Sequence, residues 1–186
     1  MRWQRLFEDL EAQAEQAEQA ALDSEVADRT RREMARIRLA DRFRAGLGQT
    51  ATINVLGLGP VQAVVRAVGP DWLLVTERPA SEMLVPLGSL ISVSGLGPQA
   101  TVPGSEGRVA ARLGIAFMLR GIARDRHTVS VMFLDGSASV GTLQRVGADF
   151  FELAEHDETG ARRQGTAPAA ARCVPFWGLA LLRRPV

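Results

Sequence analysis

The sequence predicts an α+β chain that is mainly β: two tandem five-stranded units, each preceded by a helix, behind an N-terminal helical arm. Three observations lead there. Residues 50–77 (TATINVLGLGPVQAVVRAVGPDWLLVTE) align without a gap on residues 128–155 (TVSVMFLDGSASVGTLQRVGADFFELAE), at a shift of 78 positions. Both copies end in Val-Gly-x-Asp-aromatic, as Val68, Gly69, Asp71, Trp72 and as Val146, Gly147, Asp149, Phe150. Farther on, Val85-Pro86 ahead of Leu90-Ile91-Ser92-Val93 returns as Val174-Pro175 ahead of Leu179-Ala180-Leu181-Leu182. A chain of 186 residues holds one ordinary domain or two small ones, and the repeat decides for two.

The arm comes first, over residues 1–25. Trp3, Leu6, Phe7 and Leu10 fall at i, i+3, i+4 and i+7, one face of a helix. Ala14, Ala17 and Ala21 continue that seam with side chains small enough for close approach by another helix. Between residues 6 and 28 stand eight acids (Glu8, Asp9, Glu11, Glu15, Glu18, Asp23, Glu25, Asp28) and no base. Then the sign reverses, with Arg29, Arg31, Arg32, Arg36, Arg38, Arg42 and Arg44 against only Glu33 and Asp41. This stretch is helical too, with Ile37, Ala40, Phe43 and Leu47 on its apolar side and Arg31, Arg38 and Arg42 together on the other. A hairpin broken at Leu22-Asp23-Ser24 and one continuous helix of about forty residues both fit the pattern.

The first β-unit, with its Arg-rich helix, spans 26–97. Strands are expected near 50–56, 60–68, 71–77, 83–86 and 90–94, punctuated by Gly57-Leu58-Gly59-Pro60, Gly69-Pro70 and Pro86-Leu87-Gly88. A Gly- and Pro-rich linker fills 98–106. The second unit spans 107–186 and opens with a helix near 107–123, apolar around most of its circumference and so expected to be buried between the β-units. Its strands are expected near 128–134, 138–146, 149–155, 172–175 and 178–183, with Asp135-Gly136 as a two-residue hairpin turn. Glu77 and Val85 are 8 positions apart, whereas Glu155 and Val174 are 19 apart, so 11 extra residues form a polar loop (HDETGARRQGTAPAAAR) expected to be mobile.

A helix, five short strands, a Val-Gly-x-Asp-aromatic turn before the third strand and a Val-Pro corner before the fifth resemble an Sm-like small β-barrel of the SH3 type. The resemblance covers roughly 26–97 and 107–184. The second copy carries it better: VSVMFLDGSASVGTLQRVGADFFEL is similar to the first half of an Sm motif, with Gly141 where the bent second strand leaves no space for a side chain. For that family the resemblance implies RNA binding by six- or seven-membered rings. The family's uridine pocket uses an Asn shortly after the Asp of the third strand. Val75 and Leu153 stand there in this chain, and Leu87-Gly88 and Phe176-Trp177 replace the family's Arg-Gly pair. Neither copy keeps the pocket.

The residues that carry chemistry elsewhere have bland readings here. Asp71 and Asp149 read as turn residues bonding backbone amides. His127 and His156 have no Cys or His at metal-ligand spacing, so no metal is expected. Cys173 is the single cysteine, which excludes an internal disulfide, and at a shift of 89 it matches Leu84 and reads as a small core residue. No catalytic residue and no cofactor is expected, and the chain reads as non-enzymatic. The net charge of +1 removes any whole-protein attraction to nucleic acid or membrane. All 22 basic residues are Arg and Tyr is absent, a bias expected of a GC-rich bacterial genome. The acidic N-terminus is unlike a signal peptide and no apolar run reaches the ~18 residues of a membrane span, so a cytoplasmic protein without membrane contact is expected.

Two surfaces remain as functional candidates. Arg31, Arg38 and Arg42, with Arg162 and Arg163 of the long loop and Arg172 beyond them, are candidates to track a phosphate backbone. The acids upstream of the Arg run are the competing explanation for it. Trp3, Leu6, Phe7 and Leu10 are candidates for a protein interface, since an aromatic seam this exposed needs a surface to dock on, its own body or another chain. The leading expectation is an assembly or adaptor protein that self-associates and binds a protein partner. The alternative is an RNA- or DNA-binding regulator using the Arg residues.

Overall fold

Residues 2–78, 81–107, 109–156 and 171–184 are described by the structure, a computed structural model. The chain divides into two compact units, Met1–Ile37 and Arg38–Val186.

The first unit is a single helix, α1 (Arg2–Met34). Of the two alternatives the unbroken helix is the one seen, though it ends at Met34. Nothing in this segment stops a helix: it has no Gly or Pro and is rich in Ala, Glu, Gln and Arg. Asp23, the expected cap of a second helix, instead accepts a bond from Gln19 one turn earlier (3.0 Å). Arg31 and Arg32 occupy the last turn, where cations favour the carbonyl end of the helix dipole.

The second unit begins with a short helix, α2 (Leu39–Ala45), separated from α1 by residues 35–38. Asp41 makes the start: its Oδ2 accepts the Arg38 backbone N–H (2.9 Å), while Oδ1 pairs with the Arg44 guanidinium (2.7 Å). Five strands follow, β1 (Thr50–Val55), β2 (Gly59–Val68), β3 (Trp72–Arg78), β4 (Ser81–Pro86) and β5 (Leu90–Ser94), with a 3-10 turn at Leu87–Ser89. After the linker come a 3-10 turn at Ala110–Arg112, helix α3 (Ile115–Asp125), and β6 (Thr128–Phe133), β7 (Ala138–Val146), β8 (Phe150–Glu155), β9 (Arg172–Pro175) and β10 (Leu179–Arg183). Phe176–Gly178 form the 3-10 turn between the last two strands.

Instead of the two separate closed barrels expected, the ten strands form one open antiparallel sheet, in the order β5-β1-β2-β3-β4-β10-β6-β7-β8-β9. Its halves carry the same register. Thr50 faces Val64 as Thr128 faces Thr142, and Trp72 faces Pro86 as Phe150 faces Pro175. Even the irregularities recur, with bulges at Val65/Ala67 and Leu143/Arg145. Gly141 plays the part expected: a Cβ there would overlap the Ala154 carbonyl. A left-handed residue precedes the first strand of each half, Gly48 (φ 78°) and Arg126 (φ 53°), although Arg126 caps α3 directly whereas α2 is capped by Gly46 (φ −95°). The Asp135-Gly136 hairpin is present, but as a wider turn. Only Gly136 has positive φ, and Phe133 N–H bonds the Ser137 carbonyl (2.9 Å).

The halves are welded by strand pairing, and α3 adds contacts to Asp71, Trp72 and Leu84 of the first half. β4 pairs with β10, Leu84 facing Leu182 and Met83 facing Arg183. The expected helix at 107–123 is shorter, begins at Ile115, and lies on β7 of its own half. It is not buried all round: Ile115 and Leu119 are buried, whereas Phe117 and Val109 are exposed. Two cores result, and each takes side chains from the other half. Phe43, Ile53, Val65, Leu73, Val75, Met83 and Val85 enclose Ala180 and Leu181. Ile115, Leu119, Val129, Leu143, Phe151 and Leu153 enclose Trp72 and Leu84. At about 1.5–3 kcal/mol for each large apolar side chain removed from water, these crossed burials tie the halves together.

Candidate functional site

The joint between the halves shows how this sheet accepts a strand. β10 lies along the free side of β4, and the turn at Leu87–Ser89 packs against it. Ser89 is buried there, its Oγ donating to the Pro86 and Ala180 carbonyls (2.8 and 2.7 Å). Arg183 pairs with Glu77 (3.2 Å) over the same edge. Asp71 and Trp72 hold the start of α3: Asp71 Oδ1 accepts the Ile115 N–H (2.9 Å) and Trp72 Nε1 donates to the Leu113 carbonyl (2.6 Å). Asp71 thus bonds an amide, as expected of it, but one 44 residues away and not in its own turn.

The sheet's two outer edges are the counterparts of this joint, and no strand among the described residues pairs with them. β5 is the counterpart of β10, and β9 of β4. Ile91 on β5 is 58% exposed, whereas its counterpart Ala180 is 0% exposed. Cys173 on β9 is exposed, whereas Leu84 is 3% exposed. Here the expectation of a buried Cys173 fails: β9 pairs with β8 on one side only, and among the described residues no strand lies on its other side. Beside β9, Trp177 stands 79% exposed in its 3-10 turn. Edges of this kind present unpaired N–H and C=O groups and are the sites where chains add to sheets.

The arginine candidates fall on separate elements. Arg31 lies on α1 and is paired with Asp28, Arg38 precedes α2, and Arg42 lies on α2. Because the chain breaks at 35–38, the single helical face expected for the three does not exist. Arg42 is turned onto the body, its Nη2 bonding the Gly97 carbonyl (2.9 Å). Arg162 and Arg163 lie outside the described residues. Arg172 is engaged on β9, bonding Glu155 (3.1 Å) and Ser139 (3.2 Å) with its guanidinium 4.4 Å from the Phe133 ring centre. On α1, Trp3, Phe7 and Leu10 are exposed, Trp3 at 73%. The side chain of Leu6 lies outside those described.

A cavity of about 180 Å³ sits beside the joint, floored by Leu74, Leu84, Met118, Ile122, Val129 and Leu182 and rimmed by Glu82, Asp125, His127 and Arg184. Ligand pockets usually enclose about 300–1,000 Å³, so its size suits a small apolar group. His156 bonds Thr142 (3.1 Å). Among the described residues no group of three or more His, Cys, Asp or Glu is placed to hold a metal ion, and no helix is long and apolar enough to cross a membrane. Asp135, exposed in its turn, is held below its ordinary value by the Ser137 hydroxyl and then by the Ser137 N–H. The chain matches no known family model, no curated protein and no solved structure.

Sequence reasoning missed Trp177 and the two edges. A comparison of the copies contains the signal: Trp177 replaces Gly88, and Ile91 replaces Ala180, at matched positions where one copy is enclosed and the other is not.

Proposed function

We propose that this chain is a non-enzymatic assembly module of two Sm-like units, acting through open sheet edges that take a strand from a protein partner. The observation that carries the reading is the unequal burial of matched positions. Ala180 and Leu84 are enclosed where one half meets the other, while Ile91 and Cys173 are exposed on strands that no further described strand pairs with. The matched register of the halves supports the Sm-like assignment. The scaffold or adaptor role follows from that surface, and Trp3, Phe7 and Leu10 on α1 offer a further contact.

Light scattering on the purified chain over a range of concentrations tests this. The mass is expected to exceed that of one 20.1 kDa chain. Ile91→Lys, which places a charge on the open β5 edge, is expected to lower it. A monomer at every concentration would count against the reading. So would tight, salt-dependent binding of poly-U or duplex DNA lost on charge reversal at Arg31, Arg38 and Arg42, which would favour the nucleic-acid alternative.

A further inference from the structure

The geometry points to a second copy of this chain as the occupant of the open edges, docked head to tail: β5 of one protomer pairs antiparallel with β9 of the next, with Val93 opposite Cys173 and Ser94 opposite Arg172. This rests on the edge-directed assembly proposed above and gives it a partner and a register.

The register is read from the joint inside the chain. Leu182 faces Leu84 and Arg183 faces Met83. Shifting both strands by the 89 positions that separate the copies converts Leu182 and Arg183 into Val93 and Ser94, and Leu84 and Met83 into Cys173 and Arg172. The two edges are therefore the two halves of a contact the sheet already makes once. A head-to-tail contact uses different surfaces on the two partners, so it repeats from chain to chain.

The side chains at the open edges keep an Arg–Glu pair at the joint and redistribute its bulk. Inside the chain the large Arg183 comes from the incoming strand and reaches Glu77, the counterpart of Glu155. At the open edge the arginine is on the receiving strand, Arg172, already paired with Glu155 (3.1 Å), and the incoming position is the small Ser94. Each joint thus carries an Arg–Glu pair, facing Met83 inside the chain and Ser94 in the proposed contact. A second exchange lies at the turn. Inside, Ser89 meets the small Ala180; outside, Gly178 replaces Ser89 and the larger Ile91 replaces Ala180. The bulk moves from the turn to the strand, and the pair at the open edges is the larger of the two. The hairpin tips are the place where the joints must differ: Gly57 sits against Gly136 inside the chain, whereas its counterpart Asp135 turns its carboxylate back onto Ser137.

Cys173 makes the register measurable. Facing residues of an antiparallel pair have Cα atoms about 4.5–5.5 Å apart, within the range of about 4.4–6.8 Å that a disulfide spans. Val93→Cys, mildly oxidised as the full chain, is expected to give a ladder of disulfide-linked dimers, trimers and longer species, because each protomer carries one cysteine at each edge. Ser92→Cys, whose side chain points to the other face, is expected to lack the ladder. Val93→Cys combined with Cys173→Ser is expected to give no linked species, because the cysteine then faces a serine. Far-UV circular dichroism and light scattering under reducing conditions check that each variant folds and associates like the parent. Assembly without a Val93→Cys ladder would overturn this register while leaving edge-directed assembly standing. A reduced chain that stays monomeric would overturn both. A cross-link within one chain would show the two edges meeting each other and would overturn the second-copy occupant.

Discussion

At the level of single residues, Asp71 and Trp72 explain how a turn in one half positions a helix of the other. Asp71 takes the first amide of α3 and Trp72 takes the carbonyl just before it. Phe150, the counterpart of Trp72, has no ring N–H to offer. Trp72→Phe removes one hydrogen bond and part of a buried ring system, and should cost at least about 1 kcal/mol in a urea unfolding titration. At Asp135 the Ser137 hydroxyl favours the ionised carboxylate, so Ser137→Ala should move the Asp135 carboxyl up toward its ordinary value in an NMR titration. A carboxyl with a lowered pKa stabilises the fold above its unfolded-state pKa, and that contribution disappears as pH falls through the folded value. The stability difference between the parent and Ser137→Ala should accordingly be present near neutral pH and vanish in strong acid. Gly141 was legible in the sequence because the crowding it relieves is local, between two hairpin strands. Cys173 was not, because its burial is decided by a strand that its own neighbours in sequence do not specify.

Among the elements, the strands were the most legible and the helices the least. Alternation, Gly- and Pro-marked turns and the doubled sequence placed each of the ten strands near its observed position. The third helix was overextended because counting apolar residues gave no weight to Leu113-Gly114. Leu113 leaves helical geometry (φ −83°, ψ 67°) and only the residues after Gly114 wind around Ile115 and Leu119. The shared arginine face failed for a related reason, since the chain between Met34 and Leu39 abandons the helix without a Gly or Pro to announce it. Leu119 is fully buried, so Leu119→Ala should cost about 2–5 kcal/mol in denaturant. Phe117 is exposed on the same helix, and Phe117→Ala should leave the midpoint nearly unchanged. Equal losses at both positions would mean that α3 is enclosed on all sides, as the sequence alone suggested.

For the body as a whole, the decisive feature is one strand pairing that no local pattern announces. The repeat foretold two similar halves, but pairing of β4 with β10 depends on complementary edges some hundred positions apart in the chain. It makes residues 38–184 one sheet with two interlocked cores. Thermal unfolding of this region should therefore be a single transition with the same midpoint for probes in either half. Leu182→Asp, which buries an unpaired charge at the joint, should lower that midpoint for both. Two transitions, with only the second half weakened, would show halves that fold independently.

The position of β10 in the chain has a consequence for how the protein is made. Ala180 and Leu181 complete the core around Phe43, Ile53 and Val65, yet every other strand precedes them. A nascent chain emerging from the ribosome therefore cannot finish its first half when the residues of that half are out. It must wait, with β4 bare, until the last strand arrives. Long-range closure of this kind slows folding, and the interval leaves an unsatisfied strand exposed to neighbouring chains on the same message. The edge that most needs protection during synthesis is one the finished molecule does not show.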